Sequence, residues 1–193
     1  IPTLETGTNS QLCPLAQGET YYLRATFRER IERLQQQGIR VMAPLIDLTE
    51  GLPAAARPLI DTAREMGIGR RQARQAFEQA EEIQQRCLED IHALGFELLQ
   101  SLEKDPGQMA VVLFGRPYSA FVEEAHMGIP HKLASRGISV LPLDALTLEA
   151  EPAKDHMYWG MGQRMLRAAN LVKRNPQLFG VFITNFSCGP DSF

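Results

Sequence analysis

The period of the apolar positions changes once along the chain, and that change divides it. Between Thr20 and Gln37, Leu23, Phe27, Ile31 and Leu34 recur at helical spacing, and Gly38 stands where a C-terminal cap belongs. The residues before it, 1–19, carry little periodicity and read as an irregular lead-in containing Cys13-Pro14. Ile39 to Leu48 reads as a buried strand whose second half is turned into an edge by Pro44. A short helix is expected from Ala54 to Met66, interrupted near Pro58 and closed by Gly67. The longest periodic stretch runs from Arg70 to Lys104, with Phe77, Ala80, Ile83, Cys87, Ile91, Leu94 and Leu98 on one stripe and Gln, Glu and Arg opposite. Asp105-Pro106-Gly107 stops it and marks the expected boundary between two lobes, 1–105 and 106–193.

Past that boundary the runs shorten and become continuous. Met109 to Phe114 fits a strand buried on both faces, and Ile138 to Leu143 and Leu178 to Phe186 read as second and third buried strands. Between them, Pro130 to Arg136 is expected as a short helix with proline in its first turn and Gly137 as its cap, and Asp155 to Asn175 as a longer one. A β-α-β-α-β order implies a parallel sheet with right-handed crossovers. The expected fold class is therefore α/β: a Rossmann-like, three-layer lobe beside a helix-rich N-terminal lobe. The sequence ends in Gly189-Pro190-Asp191-Ser192-Phe193 directly after an apolar run, so the second lobe is expected to be truncated there, in a piece of a longer chain.

Sheets of this kind bind ligands beyond the carboxyl ends of their strands, which selects two loops. One is Gly115-Arg116-Pro117-Tyr118; the other runs from Asn185 through Cys188, Gly189 and Asp191. If the first and third strands are neighbours, both loops face one crevice. Arg116 offers a planar fork for a carboxylate or phosphate and Tyr118 a phenol, although an arginine there can equally close a surface ion pair. Cys188, in a Gly-Pro loop past a strand, is placed to bind a metal or cluster or to attack an electrophile, with an inert thiol as the plain alternative. Asp191 can orient a ligand or cap a helix. Cys13 raises the same question as Cys188, because proline follows ligating cysteines in many iron–sulfur motifs. Cys87, four residues from both Ile83 and Ile91, is assigned to the core. His92, His126, His131 and His156 share no metal-ligand spacing; His126 and His131, flanking a turn near the active edge, are expected at the surface, with a proton-transfer role as the alternative. Met127, Met157, Met161 and Met165 read as packing, and Arg70, Arg71 and Arg74 beside Glu78, Glu81 and Glu82 as a solvated face.

Composition narrows the partners. Twenty Lys and Arg against 23 Asp and Glu leave a formal charge of −3 over 193 residues, so nothing recommends a nucleic acid or an anionic membrane. Three cysteines are too few for a disulfide framework, and no apolar run approaches membrane-helix length, so a reducing cytoplasm is expected. There is no phosphate-binding Gly-x-x-x-x-Gly-Lys loop, no Gly-x-Gly-x-x-Gly and no Gly-x-Ser-x-Gly elbow.

Four stretches occur in a telling order: Gly115-Arg116-Pro117-Tyr118; Met127-Gly128-Ile129-Pro130; Met157-Tyr158-Trp159-Gly160-Met161-Gly162-Gln163-Arg164; and Thr184-Asn185-Phe186-Ser187-Cys188-Gly189-Pro190-Asp191-Ser192. With Asn9-Ser10-Gln11-Leu12-Cys13-Pro14 and Gly67-Ile68-Gly69 ahead of the long helix, the chain resembles the acyl-CoA dehydratase activase-related proteins, relatives of the 2-hydroxyglutaryl-CoA dehydratase system. The resemblance implies Rossmann-like lobes around an oxygen-sensitive 4Fe-4S cluster in the full-length protein. Cys13 and Cys188 match expected ligands, Gly189 offers backbone amides to the cluster, and Arg116, Tyr118, Asn185 and Asp191 stand as the substrate-facing set. A further ligand is expected upstream of Ile1. Removing water from a 2-hydroxyacyl thioester requires loss of an unactivated proton, which a low-potential electron makes feasible.

The resemblance thus implies an iron–sulfur electron-transfer domain, partnered by an ATP-dependent activase module or another redox protein and acting toward a CoA thioester. The ATP-binding module lies outside this sequence, so no ATPase activity is expected of it. The competing reading is a non-catalytic regulatory or docking module that binds a small anion or a partner protein. A cysteine transferase using His126 or His131 as base is the third.

Overall fold

The computed structural model describes residues 11–48 and 50–184. Its contacts divide the chain into two compact units, one ending at Ile83 and the other beginning at Gln84. Among the described residues the first unit is helical: α1 (Pro14–Thr26), α2 (Arg28–Gln36), a 3-10 turn (Leu52–Ala55), α3 (Ala56–Glu65) and the opening turns of α4 (Arg70–Lys104). Proline near its start is compatible with helix because its missing N–H would have had no intrahelical partner. That explains why α1 begins at Pro14, inside the expected lead-in. The single helix expected from Thr20 is instead two, meeting at Phe27, whose φ of −105° and ψ of 25° leave the helical range. Gly38 caps α2 as expected: at φ +80° it lets its own amide reach Gln35 O and the Ile39 amide reach Leu34 O.

The strand expected over Ile39 to Leu48 does not form. Its backbone is irregular, and Ile39 and Leu45 are 49% and 79% exposed. A strand needs a second strand to receive its backbone hydrogen bonds, and among the described residues none pairs with this segment. Among the described residues the buried apolar ones of this unit are few: Ala55, Ile60 and Ala73.

The second unit carries the sheet. Its elements are the rest of α4, β1 (Ala110–Gly115), α5 (Pro117–Ala120), α6 (Glu123–His126), α7 (Ile129–Ala134), β2 (Ser139–Pro142), a 3-10 turn (Leu143–Ala145), α8 (Gly160–Arg174) and β3 (Leu178–Ile183). The strands lie in the order β2-β1-β3, all parallel, with Ala110 opposite Ser139 on one side and Leu178 on the other. The chain is α/β, as the alternation predicts. All six residues of β1 are buried, which is what a central strand in a run without polar alternation requires. β3 was expected to be buried and, among the described residues, is an edge flanked only by β1: it buries Leu178 but leaves Phe179 and Phe182 about half exposed.

Leu102, Val112, Leu143 and Leu146 are the most completely buried large side chains, each contributing on the order of 2 kcal/mol of burial free energy. Ile91, Leu98 and Leu99 of α4 and Met165, Leu171 and Val172 of α8 pack against this core. The face that α4 buries matches the predicted stripe only in part: Ile91 and Leu98 pack against the core, whereas Ile83 and Leu94 are about two-thirds exposed. The turn at Asp105-Pro106-Gly107 does end α4. Helix α8, expected from Asp155, starts at Gly160, since the buried Gln163 amide holds the preceding segment in a non-helical turn, closed by Met157 N donating to Lys154 O at 3.0 Å. Gln163 Oε1 accepts from Lys154 N at 2.9 Å, and its Nε2 donates to Lys154 O at 2.6 Å and Met157 O at 2.8 Å. Among the described residues no helix is long and apolar enough to cross a membrane.

Candidate functional site

The crossover after β1 leads to β2 on one side, and the next returns to β3 on the other. The topological switch therefore lies between β1 and β3, where sheets of this class open their ligand crevice. The pairing of the first and third strands on which the sequence argument depended is present, running from Ala110↔Leu178 to Gly115↔Ile183.

Gly115 makes this close carboxyl end possible. At φ +150° it occupies a backbone region that side chains rarely adopt, and a β-carbon there would overlap the Ile183 carbonyl and stand 2.8 Å from Ala120 Cβ. Arg116 follows in extended conformation, half-buried, and its carbonyl accepts from the amides of Ser119 and Ala120, both at 2.8 Å. That short turn puts Tyr118 at the rim, 58% exposed. Both residues make further interactions within the protein. The structure thus brings Arg116 and Tyr118 together at the switch point. The residues expected to face them, Asn185, Cys188, Gly189 and Asp191, lie outside the described residues.

Cys13 is half-exposed and immediately precedes α1, with its carbonyl accepting from Gln17 N at 3.0 Å. The amide dipoles of this 13-residue helix turn their positive end toward it. Cys87, assigned to the core, is exposed, because α4 buries a neighbouring stripe. His126, expected at the surface, is 7% exposed, and its Nδ1 accepts from Gly128 N at 3.1 Å. The apolar residues around it, Phe121 and Val122 before and Ile129 and Pro130 after, carried the signal. His131 is exposed as expected, and His156 is exposed too. Met161 and Met165 do pack in the core, whereas Met127 is 72% exposed.

Sequence reasoning missed the structural role of Gln163, and it missed Gly95, where a glycine in mid-helix was the available signal. Around α8, Arg164 pairs with Asp144 at 2.8 Å, and Arg174 pairs with the buried carboxylate of Glu151. That contact, chiefly its hydrogen bond, raises the Arg174 guanidinium above its ordinary pKa. Among the described residues no group of three or more His, Cys, Asp or Glu side chains is placed to hold a metal ion.

A family model described as a CoA enzyme activase uncharacterised domain matches residues 1–146, which takes in Cys13-Pro14, all of β1 and the Arg116–Tyr118 turn. No curated protein and no solved structure matches the chain.

Proposed function

Because the chain belongs to the CoA enzyme activase family, with the match spanning residues 1–146, we propose that it is the iron–sulfur-carrying electron-transfer domain of an acyl-CoA dehydratase activase-related protein. The family match carries this reading, since it includes the Cys13-Pro14 pair. Cys188 lies beyond the matched span and enters on the resemblance of its own motif.

In this reading Cys13 and Cys188 are two ligands of a 4Fe-4S cluster whose remaining ligands come from other parts of the full-length protein. The cluster supplies single low-potential electrons. Cys13 suits the role by being partly accessible before the first turn of a helix, where amide dipoles favour a negatively charged thiolate. Arg116 and Tyr118, at the switch point with Asn185 and Asp191 following β3, orient a CoA thioester or another small anionic partner. Arg116 adds positive charge at that rim. The partners that fit are an ATP-dependent module that drives the electron uphill and a dehydratase that receives it.

Anaerobic purification of the full-length protein, followed by iron and sulfide analysis and electron paramagnetic resonance, tests the proposal. A brown protein holding about four irons per chain, with colour lost in Cys188→Ala, supports it. A Cys13→Ala, Cys188→Ala double variant that keeps its whole iron content overturns it and leaves the regulatory or docking reading in its place.

A further inference from the structure

On the other flank of β1 an open cleft of about 620 Å³ runs between α7 and β2, lined by Leu113, Phe121, His126, His131, Ala134 and Val140 among others. We propose that this cleft binds a small molecule with a short apolar body and one oxygen acceptor, held by a hydrogen bond from His126 Nε2.

The first argument is composition. The walls are mostly apolar, with His126, His131 and Ser139 as the polar side chains among them, a mixture of apolar surface and a few polar groups that small-molecule sites also show. The second is His126 itself. His126 lines the cleft and keeps 7% of its surface exposed, and each nitrogen of its ring can make one hydrogen bond. Nδ1 is occupied by the Gly128 amide, which donates to it at 3.1 Å. In the neutral ring the proton then sits on Nε2, which is left as a donor with no hydrogen-bond partner among the described residues.

The third argument is the backbone that fixes this ring. Met127 and Gly128 both take left-handed conformations, at φ 51° and φ 71°, and together they turn the Gly128 amide back onto His126. For methionine this costs on the order of 1–2 kcal/mol. Its side chain recovers nothing by packing, since it is 72% exposed. Lys132 Nζ donates to Met127 O at 3.0 Å and holds the turn from outside. Strain of this kind accumulates where a side chain must be held in one orientation for a ligand.

The ligand class follows from the donor. A ring that presents N–H selects a carbonyl or carboxylate oxygen, and aliphatic walls select a short hydrocarbon body. The cleft is on the β2 side of β1, so this inference does not depend on a cluster beside β3.

Hexanoate, hexanamide and hexylamine are the probes, titrated into the full-length protein by calorimetry with the ¹⁵N resonances of the His126 ring followed in parallel. The expected result is a Kd of about 1 mM for the acyl probes with a shift at His126 Nε2, and no binding of hexylamine, which offers only donors. Ala134→Phe fills the cleft from an exposed position and is expected to weaken acyl binding at least tenfold with the helical spectrum unchanged. His126→Gln is expected to weaken it similarly. The proposal is overturned if neither acyl probe binds at about 20 mM, if hexylamine binds as well as they do, or if Ala134→Phe leaves the affinity unaltered.

Discussion

Gly95, in the last third of α4, lies so close to the carbonyl of Ala145 that no side chain fits between them. A methyl group at this position would overlap the carbonyl oxygen and stand 3.1 Å from Ala145 Cβ. Alanine normally stabilises a helix interior over glycine by about 1 kcal/mol. Here overpacking opposes that gain, and Gly95→Ala is expected to be a net loss of about 2 kcal/mol, read from urea unfolding. A variant as stable as the parent would show that the helix and the 3-10 turn yield freely.

Gly115→Ala combines two penalties, an unfavourable φ and an overlap with the Ile183 carbonyl. The expected cost is about 3 kcal/mol or more. Even where the variant folds, exchange protection of the β1 and β3 amides nearest Arg116 should fall more than that at Ala110. Uniform loss along both strands would contradict a local role.

Replacing Gln163 by leucine preserves bulk but removes three hydrogen bonds to the backbone of Lys154 and Met157. The buried groups left unpaired should cost about 2–3 kcal/mol. Proteolytic cutting between 154 and 159 is expected to accelerate in Gln163→Leu before any global unfolding is detectable.

Cys87 is expected to react with iodoacetamide in the folded protein nearly as fast as in urea, because its thiol is exposed. Mass spectrometry of the alkylated peptide reads this directly. Protection by a factor of about a hundred or more, the equivalent of about 2.7 kcal/mol, would return it to the core.

Arg174→Ala strips the buried Glu151 carboxylate of its cation and should lower the urea midpoint. A guanidinium whose pKa is raised on folding contributes below its unfolded value and loses that contribution only as pH climbs through the folded one. The Arg174 side of the pair therefore adds no slope to stability near neutral pH. The deficit of the variant is expected to shrink at high salt, since the arginine side chain is 62% exposed.

How far the sequence carried the fold depended on whether a signal was local. The run from Ala110 to Phe114, the Asp105-Pro106-Gly107 stop and the caps at Gly38 and Gly137 act through nearest neighbours, and each is found where it was expected. The strand at Ile39 to Leu48 was misread because an apolar, branched run shows fitness for a sheet but not the presence of a pairing strand. The buried face of α4 was placed only in part, with Ile91 and Leu98 on it but Ile83 and Leu94 off it, for a related reason. A stripe through Ile83, Cys87, Ile91, Leu94 and Leu98 satisfies helical spacing, yet the packing face is rotated toward Gly95, Leu99 and Leu102 by what lies opposite. His126 escaped because histidine is neutral in any apolar pattern, and its burial depends on left-handed turns at Met127 and Gly128. At the proposed site, Arg116 and Tyr118 were legible from topology alone: parallel strands order themselves, and the residue after a central strand must emerge at the crevice.

Gln177 sits at the opposite end of the sheet from that crevice. Its side-chain amide donates to Leu102 O, Asp105 O and Gln108 O, each at 2.9 Å, while its own carbonyl receives the Ala110 amide at 2.9 Å. One residue thus stitches the exit of α4 to the first rungs of both β1 and β3. A slip of a single rung would invert every side chain of a strand and set a different carbonyl against Gly115. The alignment of groups at the rim is consequently counted off from a knot at the base, and an amide far from any ligand acts as the ruler for the loops that would meet one.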